Sequence, residues 1–569
     1  MSRSAPPMAR RIRLRPWQKR ALDKLAVTES PDFLAVATPG AGKTTFALTA
    51  AVHDMAANPG RRLIVVAPTS HLKLQWADAA ERFGLHLEPS WAPGRGPLPA
   101  DVHGLVTTYQ QVASNPEPLR PIAQNACIVL DEIHHAGDDR AWGSSVRLAF
   151  EGAPLRLGLS GTPFRSDTLS IPFVNYVGDE AVPDFEYGYG DALTDGRVVR
   201  PVYFPRINGF MEWITPDGGV ASAAFDDHLD KTGASQRLRT ALSLEGEWLP
   251  AVLAQANDRL QNLRRLHPEA GGLVIAMDQD HAKGIVDLLQ LRCGVRASVA
   301  VSDDPRSSVR IAKFSASTDP WIVAVRMISE GVDIPRLRIG VYATTTTTEL
   351  FFRQAVGRFV RWTRGVPRQK AYLFIPDDIR LRTFATQMAD SRRHSLRKPS
   401  EDMESQPEDD IAFDPMVHED DLHPEQQQSL FAALSAVVTG EDESSVFDVD
   451  DDALDRMETD DDGADAGDLS GFEVALPSLG GDSVSGIDAD VAAATGENAG
   501  RAVSLRQRRL ELRERNAKLV QELVWLTGQT HAQVNSRLNR LAGLRKIDEA
   551  TVDQLSRRAA HAERWLKTG

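Results

Sequence analysis

"FLAVATPGAGKTTFAL", residues 33–48, decides how the rest of the chain is read. Phe33–Ala37 is a short, unbroken apolar run, the pattern of a strand buried on both faces. Glycines follow at Gly40 and Gly42, and a helical pattern opens at Lys43. Strand, glycine loop and helix in that order make a phosphate-binding loop. The glycines let backbone N–H groups approach phosphate oxygens, the helix N-terminus favours negative charge, and Lys43 adds a full positive charge. The Thr44 hydroxyl suits Mg2+. Pro39, Gly40, Ala41, Gly42, Lys43, Thr44 and Thr45 are therefore predicted to line a nucleotide site. Ala37 stands where the strict pattern has glycine, at a position that ordinary negative φ tolerates.

Outward from this stretch, residues 33–165 alternate apolar runs ("RLIVVAP", "GLVTT", "CIVLDE", "LRLGLSG") with helical stretches. That alternation predicts an α/β domain with a parallel sheet. "CIVLDE" ends in paired carboxylates, Asp131 and Glu132, about where nucleotide chemistry sits at the carboxyl edge of such a sheet. Asp131 is predicted to hold the metal with Thr44, and Glu132 to polarise the attacking water. A second alternating block ("GGLVIAMD", "WIVAVRM", "LRIGVYAT", "KAYLFIP") predicts a second parallel domain. In "FFRQAVGRFVRW", residues 351–362, Gln354, Arg358 and Arg361 recur at i, i+4 and i+7, one face of a helix. Phe352, Val356 and Phe359 take the other face. Two guanidiniums aimed the same way suit phosphate, since their charge is permanent and their fork fits its oxygens.

Charge is divided unevenly along the 569 residues, whose net of −14 averages unlike parts. Residues 401–500 hold 30 acids against one basic residue, Arg456, while the remainder holds 64 Lys and Arg against 49 acids. A basic body with an acidic segment points to a polyanion partner for the body. The acidic segment reads as disordered, with one stretch, "PEQQQSLFAALSAVV", patterned as a short helix. Arginine-rich helical patterns return from Arg501, as a packed bundle with a solvated face or an accessory DNA-binding element. Two cysteines, Cys127 and Cys293, exclude a disulfide framework and a four-cysteine metal site. No run approaches the 18 apolar residues of a membrane span. These features suit a cytoplasmic protein.

The order of elements resembles the superfamily-two helicases and translocases of the DExH type. "LRPWQ" is similar to their adenine-reading element, which places Trp17 and Gln18 on the base. "ATPGAGKT" resembles motif I, "APT" (Ala67–Thr69) motif Ia, "TTYQ" (Thr107–Gln110) motif Ib, and "DEIH" motif II. "SGT" (Ser160–Thr162) resembles motif III, "EGVDIP" (Glu330–Pro335) motif V, and "QAVGRFVR" (Gln354–Arg361) motif VI. The resemblance covers about residues 12–380 and is nearest to the restriction-enzyme-motor and XPB-like branch. It implies two RecA-like domains in tandem, with Arg358 and Arg361 as arginine fingers and Gln354 positioning water or the γ-phosphate. It also implies nucleotide contacts at Gly331 and Asp333, and nucleic-acid contacts at Thr69, Ser70, Thr107 and Thr108. His134 is expected to relay between the nucleotide and the neighbouring domain.

The expected organisation is a first RecA-like domain over 1–180, connecting strands and helices over 181–266, and a second RecA-like domain over 267–397. An acidic linker over 398–500 and a helical domain over 501–569 complete it. The implied activity is ATP-dependent movement along DNA, in preference to RNA, with a protein partner able to meet the acidic linker or the C-terminal helices. Alternatives are a double-stranded DNA translocase that separates no strands, an RNA helicase, and a non-hydrolysing ATP-switched clamp.

Overall fold

The computed structural model describes residues 11–92, 97–137, 140–161, 171–177, 180–215, 218–301, 307–325, 334–363, 365–366, 369–396, 432–438, 472–477 and 505–568. Among them, two seven-stranded parallel sheets form the tandem. The first runs Phe185–Tyr187, Asp32–Ala37, Leu155–Ser160, Ala126–Leu130, Arg62–Ala67, Gly104–Thr108, Leu87–Glu88. The second runs Val202–Tyr203, Ala371–Pro376, Leu337–Ala343, Gly271–Ala276, Trp321–Val325, Ala297–Ala300, with Arg206–Ile207 also on Ala371–Pro376. Central strands such as Ala126–Leu130 and Leu337–Ala343 are buried at every residue. Helices cover both faces, so unbroken apolar runs replace alternation. The first sheet takes in Phe185–Tyr187, beyond the boundary expected at 180. Among the described residues no helix is long and apolar enough to cross a membrane.

The acidic segment departs from expectation in two places. Ala432–Val437, inside the stretch read as a helix, is instead a strand beside Phe210–Ile214. Ala436 there is buried against the core of the second domain, and burial on that sheet outweighs the local helical pattern. Phe472–Ala475 forms an antiparallel ribbon with Arg11–Leu14, and the adjoining Leu476 is 5% exposed within the core of the first domain. The rest of 398–500 lies outside the described residues.

The C-terminal helices Leu505–Thr527, His531–Ala542 and Val552–Thr568 close around Leu523, Val534, Leu538 and Ala562. Arg558 lies fully buried among them and donates to the side-chain oxygens of Asn516, Asn535 and Asn539. Arg506, Arg509 and Arg513 lie along one face of the first helix and reach Asp78 (2.7 Å), Asp101 (2.6 Å) and Glu88 (3.6 Å) of the first domain. Those three arginines thus hold the bundle against the first domain.

Candidate nucleotide site

The phosphate-binding loop leaves the buried strand Asp32–Ala37 and enters the helix Lys43–Ala57, whose Phe46, Ala47 and Leu48 are fully buried. Gly40 and Gly42 hold φ of 83° and 93°, a left-handed backbone that glycine adopts without penalty. Thr44 and Thr45 sit half-buried in the first turn, beside Lys43. The Lys43 Nζ lies 3.1 Å from Glu132 Oε1 and donates to the Ala37 carbonyl at 3.3 Å.

Asp131 and Glu132 follow the strand Ala126–Leu130, and each is held by a different partner. Trp76 Nε1 donates to Asp131 Oδ2 at 2.7 Å, leaving the other carboxylate oxygen to a ligand. Tyr109 OH donates to the Asp131 carbonyl. Glu132 takes a positive φ of 47°, unusual for a residue with a side chain, and accepts from the Gly161 amide at 2.9 Å. Burial, and next the charge of Glu132, raise the Asp131 carboxyl above its ordinary range. Burial also works to raise Glu132, but Lys43, His134 and the Gly161 amide outweigh it and hold that carboxyl low.

The second domain reaches into this site at three points. Gln354 Nε2 lies 3.2 Å from His134 Nε2, and the other face of that imidazole meets Ser160 Oγ (3.4 Å) and Glu132 (3.7 Å). His134 thus links motifs II, III and VI. A side-chain carbon at Gly357 would stand 2.6 Å from Pro39 Cγ, so the two domains touch across a glycine. A carbon at Gly40 would meet Arg361 Cδ at 3.4 Å, which places the Arg361 guanidinium against the phosphate loop.

Arg361 does not get there as a helical residue. The helix ends at Val356 with Gly357 as its cap, Arg358 follows in a turn, and Arg361 lies beyond that turn. The expected helical face is therefore incorrect beyond Gln354. Phe359 and Val360 are buried, and the chain then joins Val199 through a bridge at Arg361. Arg358 is half-buried in that turn.

Base reading by Trp17 and Gln18 is corrected too. Trp17 is fully buried, stacked on Tyr187 at 5.2 Å, and donates to the Ala41 carbonyl at 3.0 Å. Gln18 is 2% exposed; its amide donates to Gly42 O and accepts from Arg15 N. Both residues brace the loop from beneath. Arg15, which the sequence reading passed over, donates to Gly40 O at 2.8 Å. Burial first, and the like charge of Arg361 as well, lower its pKa. Its place directly before "PWQ" was the available signal. Trp76 and Gly357 gave none, because their partners are distant in sequence.

The hydroxyls expected on nucleic acid are mostly committed within the fold. Thr107 and Thr108 are 3% and 4% exposed; Thr107 donates to Gln111, and Thr108 caps the helix Tyr109–Ser114. Thr69 caps the helix Ser70–Arg82, whereas Ser70 is exposed. Buried caps cannot present hydroxyls to phosphate, so Thr107 and Thr108 are withdrawn from that role. Gly331 and Asp333 lie outside the described residues, as does Thr162.

A metal and nucleotide fit this donor set. A hydroxyl at Thr44 and one free carboxylate oxygen at Asp131 are hard ligands of the kind Mg2+ takes alongside phosphate oxygens and water. The two left-handed glycines keep the loop's backbone open to phosphate.

Comparison with known proteins follows the same lines. Residues 11–165 match the family described as "Type III restriction enzyme, res subunit". Uncharacterized protein Rv2917 of Mycobacterium tuberculosis is 43% identical over 403 residues, covering 70% of this chain and 66% of the relative. Uncharacterized protein ML1624 of Mycobacterium leprae is 41% identical over 401 residues, covering 69% and 67%. A Vibrio vulnificus fragment described as an HsdR subunit of a type I restriction enzyme superposes with a TM-score of 0.45 at 17% identity, covering 65% of each chain.

Proposed function

The chain belongs to the family of these mycobacterial proteins and carries the tandem fold of superfamily-two helicases, and from that premise we propose an ATP-dependent motor on DNA, a helicase or translocase. The carrying observation is Arg361 of the second domain lying against Gly40 of the phosphate loop in the first. A finger supplied from the far side of a cleft makes hydrolysis depend on closure, and closure alternating with release can be turned into movement.

Each residue then takes a role that follows from its contacts. The loop from Pro39 to Thr45 cradles the phosphates, and Lys43 draws in the β- and γ-phosphates. Thr44 and Asp131 would hold Mg2+, which when bound neutralises charge between the phosphates. Trp76 fixes the Asp131 carboxylate for that task. Glu132, held ionised by Lys43, orients and polarises the attacking water more than it removes a proton, because a carboxylate of low pKa is a weak base. Gln354 and His134 report closure to Glu132 through one imidazole. Arg361, with Arg358 nearby, meets charge that spreads over the γ-phosphate oxygens in the transition state.

DNA is favoured over RNA by the restriction-enzyme description of residues 11–165, which also favours translocation without strand separation as the second reading. Intact Lys43, Glu132 and Arg361 weigh against a non-hydrolysing clamp. The deciding experiment measures ATPase activity alone, with DNA and with RNA, beside strand-displacement and triplex-displacement assays. Stimulation by DNA is the expected result. Hydrolysis that is absent, or indifferent to both nucleic acids, overturns the proposal.

A further inference from the structure

Arg200 is 1% exposed, and among the described residues no carboxylate pairs with it. A buried guanidinium without an acid is an expensive group, so what it holds is informative. Burial, and the like charge of Arg338, push its pKa down to about 9. Its donors go to backbone and hydroxyl oxygens instead. One Nη group donates to Pro335 O at 2.8 Å and to Thr363 Oγ1 at 3.1 Å, and the other donates to Leu337 O at 3.1 Å. Its own amide donates to Val360 O at 2.8 Å, and its neighbour Val199 bridges Arg361. The residue before Arg361, through the Arg200 amide, and Thr363 two residues after it, with the end of motif V, through the Arg200 side chain, are thus all tied to Arg200.

The same residue sits on the crossing between the domains. The carbonyl of Tyr187, upstream by sequence, accepts from the Thr38 amide of the phosphate loop. Val202–Tyr203, just downstream, pairs with Ala371–Pro376 in the second sheet. Tyr189 OH donates to Arg200 O and accepts from Val202 N, closing the crossing on itself. From this arrangement we infer that Arg200 is a positioning residue, one that fixes where Arg361 stands relative to the phosphate loop. The inference rests on the proposed ATPase and deepens it: the finger's aim is set by the interdomain crossing, and not by the helix Glu349–Val356, which ends before it.

Arg200→Lys keeps the charge and removes the fork that serves three acceptors. Displacement of a reacting group by about 1 Å costs on the order of 10²-fold in rate, so kcat is expected to fall by that order while the KM for ATP stays within about threefold. Thr363→Val removes one acceptor and is expected to lower kcat roughly fivefold, the scale of one hydrogen bond. Combined with Arg361→Ala, Arg200→Lys should add nothing, because an absent finger cannot be misplaced. Steady-state ATPase assays on the full chain, with DNA present, read all three. Losses that multiply in the double variant, or a raised KM with kcat intact, overturn the inference and leave Arg200 a structural residue. If Arg200→Lys does not fold, Thr363→Val decides, and a wild-type kcat there overturns it. An inactive wild-type protein overturns the proposed function and this inference together, whereas an active wild type beside unimpaired variants overturns the inference alone.

Discussion

Gly357→Ala should separate catalysis from stability. Gly357 has φ of −54° and ψ of −20°, a right-handed conformation that alanine accepts without strain. At such a site the change to alanine stabilises by roughly 0.4–1 kcal/mol through the unfolded state, so thermal stability should hold or rise slightly. The obstacle is across the cleft. The new methyl would stand 2.6 Å from Pro39 Cγ and 3.0 Å from Pro39 Cβ, where ordinary contact begins at 3.4 Å. Neither atom is the end of a flexible side chain; both belong to a proline ring in the phosphate loop. The domains must therefore part locally by about 0.8 Å, the difference between contact and clash. Arg361 lies four residues further along the chain and would retreat with it. A loss of kcat approaching 10²-fold is expected, with KM for ATP little changed because Gly40, Gly42 and Lys43 belong wholly to the first domain. Steady-state ATPase assays with saturating DNA, beside a thermal melt, test both halves. A kcat within threefold of wild type would refute the claim that this contact governs finger placement.

Three further outcomes follow from the same geometry. Glu132→Gln should retain ATP and slow turnover by orders of magnitude, since an amide cannot polarise water as a carboxylate does; wild-type turnover would remove Glu132 from catalysis. Gln18→Ala should lower the melting temperature of the first domain and raise KM for ATP, because a buried amide bridging Gly42 and Arg15 is lost at about 1–3 kcal/mol, with the ATP/GTP preference unchanged. A collapsed ATP/GTP preference in that variant would restore base reading to Gln18. Replacing the acids of residues 439–471 by Asn and Gln, with both flanking strands kept, should tighten DNA binding at low salt, and the gain should vanish by several hundred millimolar. Equal affinity in titrations at low salt would leave the acidic stretch a spacer.

What the sequence determined by itself was the strand-and-helix alternation and the chemistry of consecutive residues. Apolar runs of strand length between helical stretches specify a doubly covered parallel sheet, because such runs have no polar face to leave in water. Gly40, Gly42 and Lys43 announce phosphate because backbone freedom and charge are properties of consecutive residues. Asp131 and Glu132 stand out for the same reason, as adjacent acids at the end of a strand. Tertiary structure decided the rest. The helical phase of Gln354, Arg358 and Arg361 was a local inference, but the burial of Phe359 and Val360 and the bridge to Val199 end the helix early and aim Arg361 by another route. Thr107 and Thr108 looked like free hydroxyls until burial, with Thr107 donating to Gln111 and Thr108 capping the next helix, took them out of solvent. Trp17 and Gln18 looked like base readers until their donors met the phosphate loop from below. Phe472–Ala475 found its partner strand about 460 residues away, and Arg506, Arg509 and Arg513 found their acids more than 400 residues away. Pairings at such separations leave no periodicity in the chain; they arise only when packing brings the two surfaces to the same place.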